Sequence, residues 1–145
     1  MNRIKLTLPE QFPFTTELVI RITDLNYGGH VGNDVFLALI HEARQQYLLS
    51  LGYKELSFAG VGLIMADVAL EYKKELTHTD RVRISVAAAD LDKLGFDLFY
   101  KMELATANGW VLAAKAKTGM ICYDYAAAKK VSIPEEAIAK LIPVK

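Results

Sequence analysis

The chain has 145 residues, 52% hydrophobic and 23% charged, with 17 Lys plus Arg offset by 17 Asp plus Glu. That length corresponds to one domain, residues 1–145, able to bury a sizeable core, and the zero net charge argues against nucleic acid held on a basic face. The single cysteine, Cys122, permits no intrachain disulfide. No signal-peptide core and no apolar run near the ~20 residues of a membrane span is visible, so the chain reads as cytoplasmic, without a membrane partner.

Residues 1–13 read as a loosely structured lead-in ending at Pro13. From Thr15 to Ile22, Leu18, Ile20 and Ile22 alternate with Glu17 and Arg21, the period of a strand. Residues 24–33, Asp-Leu-Asn-Tyr-Gly-Gly-His-Val-Gly-Asn, have turn chemistry throughout. A helix follows over Asp34 to Leu51, with Asn33 as its N-cap, Asp34 in the first turn and Gly52 as the stop. Its first half, Val35 to Ile40, is apolar on every side, the pattern of a buried helix.

Beyond Gly60 and Gly62 the chain reads mainly as strands, at Leu63–Lys73, Arg81–Asp90, Phe96–Thr106 and Trp110–Tyr123. Asn108-Gly109 is the strongest hairpin cue. A terminal helix is expected from Pro134, with Glu135 and Glu136 in its first turn. One strand, a long helix and four long strands make an α+β protein whose curled sheet wraps the helix.

Several motifs are absent. There is no Gly-x-Ser-x-Gly for a serine nucleophile. His41-Glu42 opens a zinc-type His-Glu-x-x-His, but Gln45 stands where the second histidine belongs. Gly60-Val61-Gly62 lacks both a third glycine at the right spacing and a Walker lysine. No metal and no cofactor are expected.

The segment Asp24–Asn33, followed by Glu42-Ala43-Arg44, resembles the hotdog-fold thioesterases typified by 4-hydroxybenzoyl-CoA thioesterase and the related plant acyl-carrier-protein thioesterases. Glu71-Tyr72-Lys73-Lys74-Glu75 and Asp80 resemble that family's second strand and the acidic turn after it. The resemblance implies a mainly antiparallel five-stranded sheet around a central helix, and hydrolysis of an acyl-CoA or acyl-carrier-protein thioester near that helix's N-terminus. It also implies a homodimer or a dimer of dimers. His30 and Asn33 agree with the family pattern. In the relatives the second Asp of Asp-x-Asp supplies the catalytic carboxylate; here Asn26 takes its place, and an amide accepts no proton at neutral pH. Gly28 and Gly32 replace asparagines of the plant enzymes, and Asp34 stands where many relatives have a small residue.

Thioester hydrolysis needs donors for a developing oxyanion, which N–H groups at a helix N-terminus supply; those near Gly29 and at Gly32–Asp34 are candidates. The catalytic set expected is Asp34 in place of the missing carboxylate, Asn26 orienting thioester or water, and His30 assisting. Tyr27, Gly29, Asn33 and Asp67 are expected to bind substrate. Each has a plainer alternative: Asp34 a dipole partner, His30 a loop residue, Asn33 a cap. Asp24 is expected to bond loop backbone, and Glu42 with Arg44 to form an ion-pair or interface set. Asp67, among Ile64, Met65, Ala66 and Val68, needs a partner if buried. Lys73-Lys74 and Arg81/Arg83 either meet coenzyme A phosphates or form a solvated strand face. The other functions this sequence admits are a non-hydrolytic thioester binder and a hotdog hydratase or dehydratase.

Overall fold

A computed structural model describes residues 1–141. The elements, in chain order, are β1 (Phe14–Val19), α1 (Asn33–Ser50), β2 (Gly62–Tyr72), β3 (Arg81–Ala89), β4 (Gly95–Thr106), β5 (Gly109–Asp124), β6 (Lys129–Lys130) and α2 (Glu135–Leu141). The strands form one antiparallel sheet in the order β1-β3-β4-β5-β2, with the two-residue β6 pairing only β5. β1 and the four long strands β2 to β5 pack along one side of α1, the expected hotdog fold.

Strand alternation places the core. Ile84, Leu98, Met102, Ala114, Ala116 and Met120 point inward from β3, β4 and β5 and meet Phe36, Leu39, Ile40, Ala43, Tyr47 and Leu48 of α1. Tyr100 also points inward and carries a buried polar chain. Its hydroxyl accepts Arg44 Nη1 at 3.2 Å and bonds Thr118 Oγ1 at 2.7 Å, while Arg44 Nε donates to Glu55 at 2.7 Å. Pairing thus offsets the desolvation of the Arg44 guanidinium, which is 6% exposed. Arg44 pairs with Glu55 rather than with Glu42, which is exposed and bonded by Gln46.

Other expectations are corrected. β1 ends at Val19, and Ile22 lies exposed in a 3-10 turn over Ile22–Asp24. The apolar first half of α1 is not buried all round, because the sheet covers one side only. Leu37 and Ala38 are exposed together with His41 and Glu42. The β4–β5 hairpin pairs Thr106 with Gly109, so the glycine follows the tight turn; its φ of +105° is why glycine stands there. Pro134 precedes α2, its carbonyl accepting Ala137 and Ile138 N–H.

The lead-in has no helix or strand, yet it is held against the sheet. Lys101 Nζ lies 5.0 Å from the Phe12 ring centre, Leu6 N–H donates to the Glu71 carboxylate, and Lys115 Nζ donates to Leu6 O at 3.1 Å. Among the described residues no helix is long and apolar enough to cross a membrane.

Candidate active site

Between β1 and α1 the chain makes a tight loop closed by a Leu25–Val31 bridge. Asn26 N–H donates to His30 O at 2.9 Å, and Gly29 N–H donates back to Asn26 O at 3.0 Å. The Asn26 side-chain oxygen accepts Gly28 N–H at 2.9 Å and His30 N–H at 3.4 Å. That commits the acceptor end of the amide to loop geometry, leaving its NH2 donors as the end available to a ligand. Asp24 is 6% exposed and accepts Arg21 N–H at 2.8 Å, the backbone role expected of it.

A second segment staples this loop. Val31 N–H donates to Leu76 O at 2.8 Å, and Thr77 Oγ1 donates to Gly29 O at 2.9 Å. His30 Nε2 lies 3.3 Å from Glu75 Oε2. At the first residue of α1, Tyr72 OH donates to Asn33 O at 3.0 Å, and its ring meets Phe36, one turn on, edge-on with centroids 5.1 Å apart. Burial first, and the nearby Asp34 charge second, raise the Tyr72 phenol above its ordinary range.

These contacts enclose a cleft of about 400 Å³ whose walls include Asn26, His30, Asn33, Phe36, Tyr72 and Glu75. The N-terminus of α1 opens beside it. Gly32, with φ −65° and ψ 153°, is the N-cap, and Asn33 is the first helical residue, a correction to the expected Asn33 cap. The cap position needs extended backbone, which Gly32 supplies, and no side chain closes it. The N–H groups of Gly32, Asn33 and Asp34 find no acceptor among the described residues, so the positive end of the α1 dipole is left without a cap. A Cβ at Gly32 would lie 2.7 Å from Asp34 Oδ1, so the carboxylate folds back over the glycine. Asp34 stands beside the cleft rather than among its walls.

The structure therefore gathers Asn26, His30 and Asn33 in one cleft, with Asp34 at its edge. It does not gather the rest. Gly29 N–H is engaged within the turn, so it is not one of the free donors expected there. Tyr27 projects fully into solvent from the loop tip. Asp67 lies about 16 Å along β2 from Tyr72. Its side chain is 62% exposed beside a register shift, and it accepts Lys117 Nζ at 2.8 Å and Gly119 N–H at 3.0 Å. The Lys117 bond holds its carboxyl below the ordinary range. Glu75, Thr77 and Tyr72 were not among the expected site residues. Tyr72 and Glu75 lie in a stretch that carried the resemblance, and that signal could have found them; Thr77 reaches the loop only through the sheet's path.

A family profile described as thioesterase-like superfamily matches residues 20–141. The chain is 29% identical over 122 residues to a 1,4-dihydroxy-2-naphthoyl-CoA hydrolase of Microcystis aeruginosa, covering 82% of this chain and 86% of that protein. It superposes on a 1,4-dihydroxy-2-naphthoyl-CoA thioesterase from Synechocystis with a TM-score of 0.75 at 23% identity, over 88% of this chain and 96% of the other. For 4-hydroxybenzoyl-CoA thioesterase from Pseudomonas sp. strain CBS-3 the TM-score is 0.77 at 15% identity, over 87% and 96%. At these identities the superpositions establish the shared fold.

Proposed function

The chain belongs to the thioesterase-like superfamily, and on that footing we propose that it hydrolyses coenzyme A thioesters in the cleft at the N-terminus of α1. The observation that supports the reading is a cleft walled by Asn26, whose NH2 end is uncommitted, and by the His30–Glu75 pair, with the unpaired N–H groups and the Asp34 carboxylate of the start of α1 at its edge. The relative named as a 1,4-dihydroxy-2-naphthoyl-CoA hydrolase supports the choice of coenzyme A over carrier protein, and an aryl over an alkyl acid.

The chemistry follows from those groups. Water attacks the thioester carbonyl carbon while Asp34 accepts its proton. The carbonyl oxygen becomes an oxyanion bonded by the N–H groups at the start of α1, each such donor contributing about 3–4 kcal/mol to the transition state. Asn26 donates its amide N–H to the carbonyl or the attacking water. The carbon–sulfur bond then breaks, and the departing thiolate takes a proton through His30, held by Glu75. The products are a carboxylic acid and a free thiol.

The fold also leaves β2 at a sheet edge, paired on one side only by β5. Met65 and Val68 are exposed on it, as is Leu37 on α1. An unpaired edge beside apolar surface favours a second copy, and a homodimer formed along β2, or a dimer of such dimers, is part of the proposal. Light scattering is expected to give twice or four times the chain mass.

The deciding experiment is a panel of aryl-CoA, acyl-CoA and acyl-carrier-protein thioesters assayed for thiol release. Turnover of aryl-CoA members above the others is expected. Binding without release from any member would replace hydrolysis with the non-hydrolytic binder that the Asp-to-Asn change at position 26 favours.

A further inference from the structure

The cleft does not end at Tyr72. Tyr72 and Lys73 are also walls of a second, larger groove of about 640 Å³, whose opposite wall is the lead-in. The lead-in is fixed there from both sides, by Leu6 N–H on the Glu71 carboxylate and by Lys115 Nζ on Leu6 O. Those bonds place Arg3 and Lys5 over the groove, facing Lys73 and Lys115.

The charge is one-sided. Four cations line the groove against one carboxylate, Glu71, which is already bonded to Lys73 at 3.0 Å and to Leu6. Arg3 and Lys5 have no ion-pair partner among the described residues. In a chain with zero net charge this is a local excess that favours an anion. A thioester in the neighbouring cleft has its acyl group and sulfur at one end and, when built on coenzyme A, a phosphorylated nucleotide at the other. The uncharged pantetheine arm passes between them.

Building on the hydrolase reading above, we infer that the groove between the lead-in and β2 is the phosphate-binding end of the substrate site, with Arg3 and Lys5 holding the coenzyme A nucleotide. The lead-in is then a substrate clamp rather than a passive tail. It also selects for coenzyme A over simpler thiols, because only a phosphorylated carrier gains from it.

The test is calorimetric titration of the full chain and of an Arg3→Ala/Lys5→Ala variant with coenzyme A, 4′-phosphopantetheine and pantetheine. The variant is expected to bind coenzyme A about tenfold more weakly or worse, the loss of two charge-assisted contacts. Its pantetheine affinity is expected to match the unmodified chain. Equal loss for 4′-phosphopantetheine and coenzyme A would overturn the nucleotide assignment in favour of a carrier-protein arm. Unchanged coenzyme A affinity, or no coenzyme A binding by the unmodified chain, would overturn the clamp altogether. Binding needs no turnover, so a chain that takes coenzyme A through Arg3 and Lys5 yet cleaves no thioester would sink the hydrolase reading and leave the clamp standing.

Discussion

Replacing Asp34 by Asn separates chemistry from folding at the N-terminus of α1. Asn has the same shape, so it can still fold back over Gly32, whose missing Cβ leaves room for the Asp34 oxygen. What it loses is the charge and the ability to accept a proton. If Asp34 takes the proton of the attacking water, kcat should fall by about 10²–10⁴, equivalent to roughly 3–5 kcal/mol of barrier. If Asp34 only complements the helix dipole, the change removes about 0.3–1 kcal/mol of stability and leaves turnover intact. The two outcomes differ by orders of magnitude. Adding Asn26→Asp to the Asp34→Asn variant supplies a second arm: one carboxylate oxygen can keep the Gly28 N–H bond that the Asn26 oxygen now makes. The other oxygen replaces the outward NH2, so partial recovery of turnover is expected. Thiol release from an aryl-CoA, followed with a disulfide reagent, reads both variants, and thermal melting checks the fold. Wild-type kcat in Asp34→Asn would refute the assignment of the base.

Three further outcomes follow from the same geometry. Gly32→Ala puts a methyl carbon 2.7 Å from Asp34 Oδ1, too close for both, so the carboxylate must swing away; kcat is expected to drop by about tenfold or more with a modest change in melting temperature. Tyr100→Phe removes the hydroxyl that joins Arg44 to Thr118 and leaves buried polar groups unpaired. Chemical denaturation should register a loss of about 1–3 kcal/mol. Burial pushes the Cys122 thiol up to about 11, so it stays protonated as pH rises until near that value. A thiol reagent at pH 8 should label it only after unfolding; rapid labelling of the native protein would contradict its burial.

Much of the fold was legible from local pattern. Alternation located β1, strand-like runs bounded by turn residues located β2 to β5, each within a few residues, and turn chemistry placed the loop over residues 24–33. The helix was found because Asn33, Asp34 and Gly52 mark its ends and its first half is apolar on every side. The errors share one cause: sequence pattern reports what a residue prefers, not which neighbour arrives. Leu37 and Ala38 read as buried because they are apolar, but the sheet covers only the opposite side of α1. Asp67, whose apolar neighbours suggested burial, is paired with Lys117 but lies exposed on an edge strand beside a register shift.

At the site, chain order alone dictates which groups cluster locally: Asn26, His30, Asn33 and Asp34 fall within one short loop–helix junction. That Asn26 stands where the resemblance implies a second aspartate is equally plain from the chain alone. How those groups are used is a matter of three-dimensional packing. Gly29 N–H closes the turn, the Asn26 oxygen holds the loop and turns its donors outward, and Gly32 caps the helix in place of Asn33. Glu75 meets His30 and Tyr72 meets Asn33 because β2 runs back alongside the start of α1, 39 residues apart in sequence for the Tyr72–Asn33 bond. Contacts that distant are set by strand pairing and packing, and no local spacing encodes them.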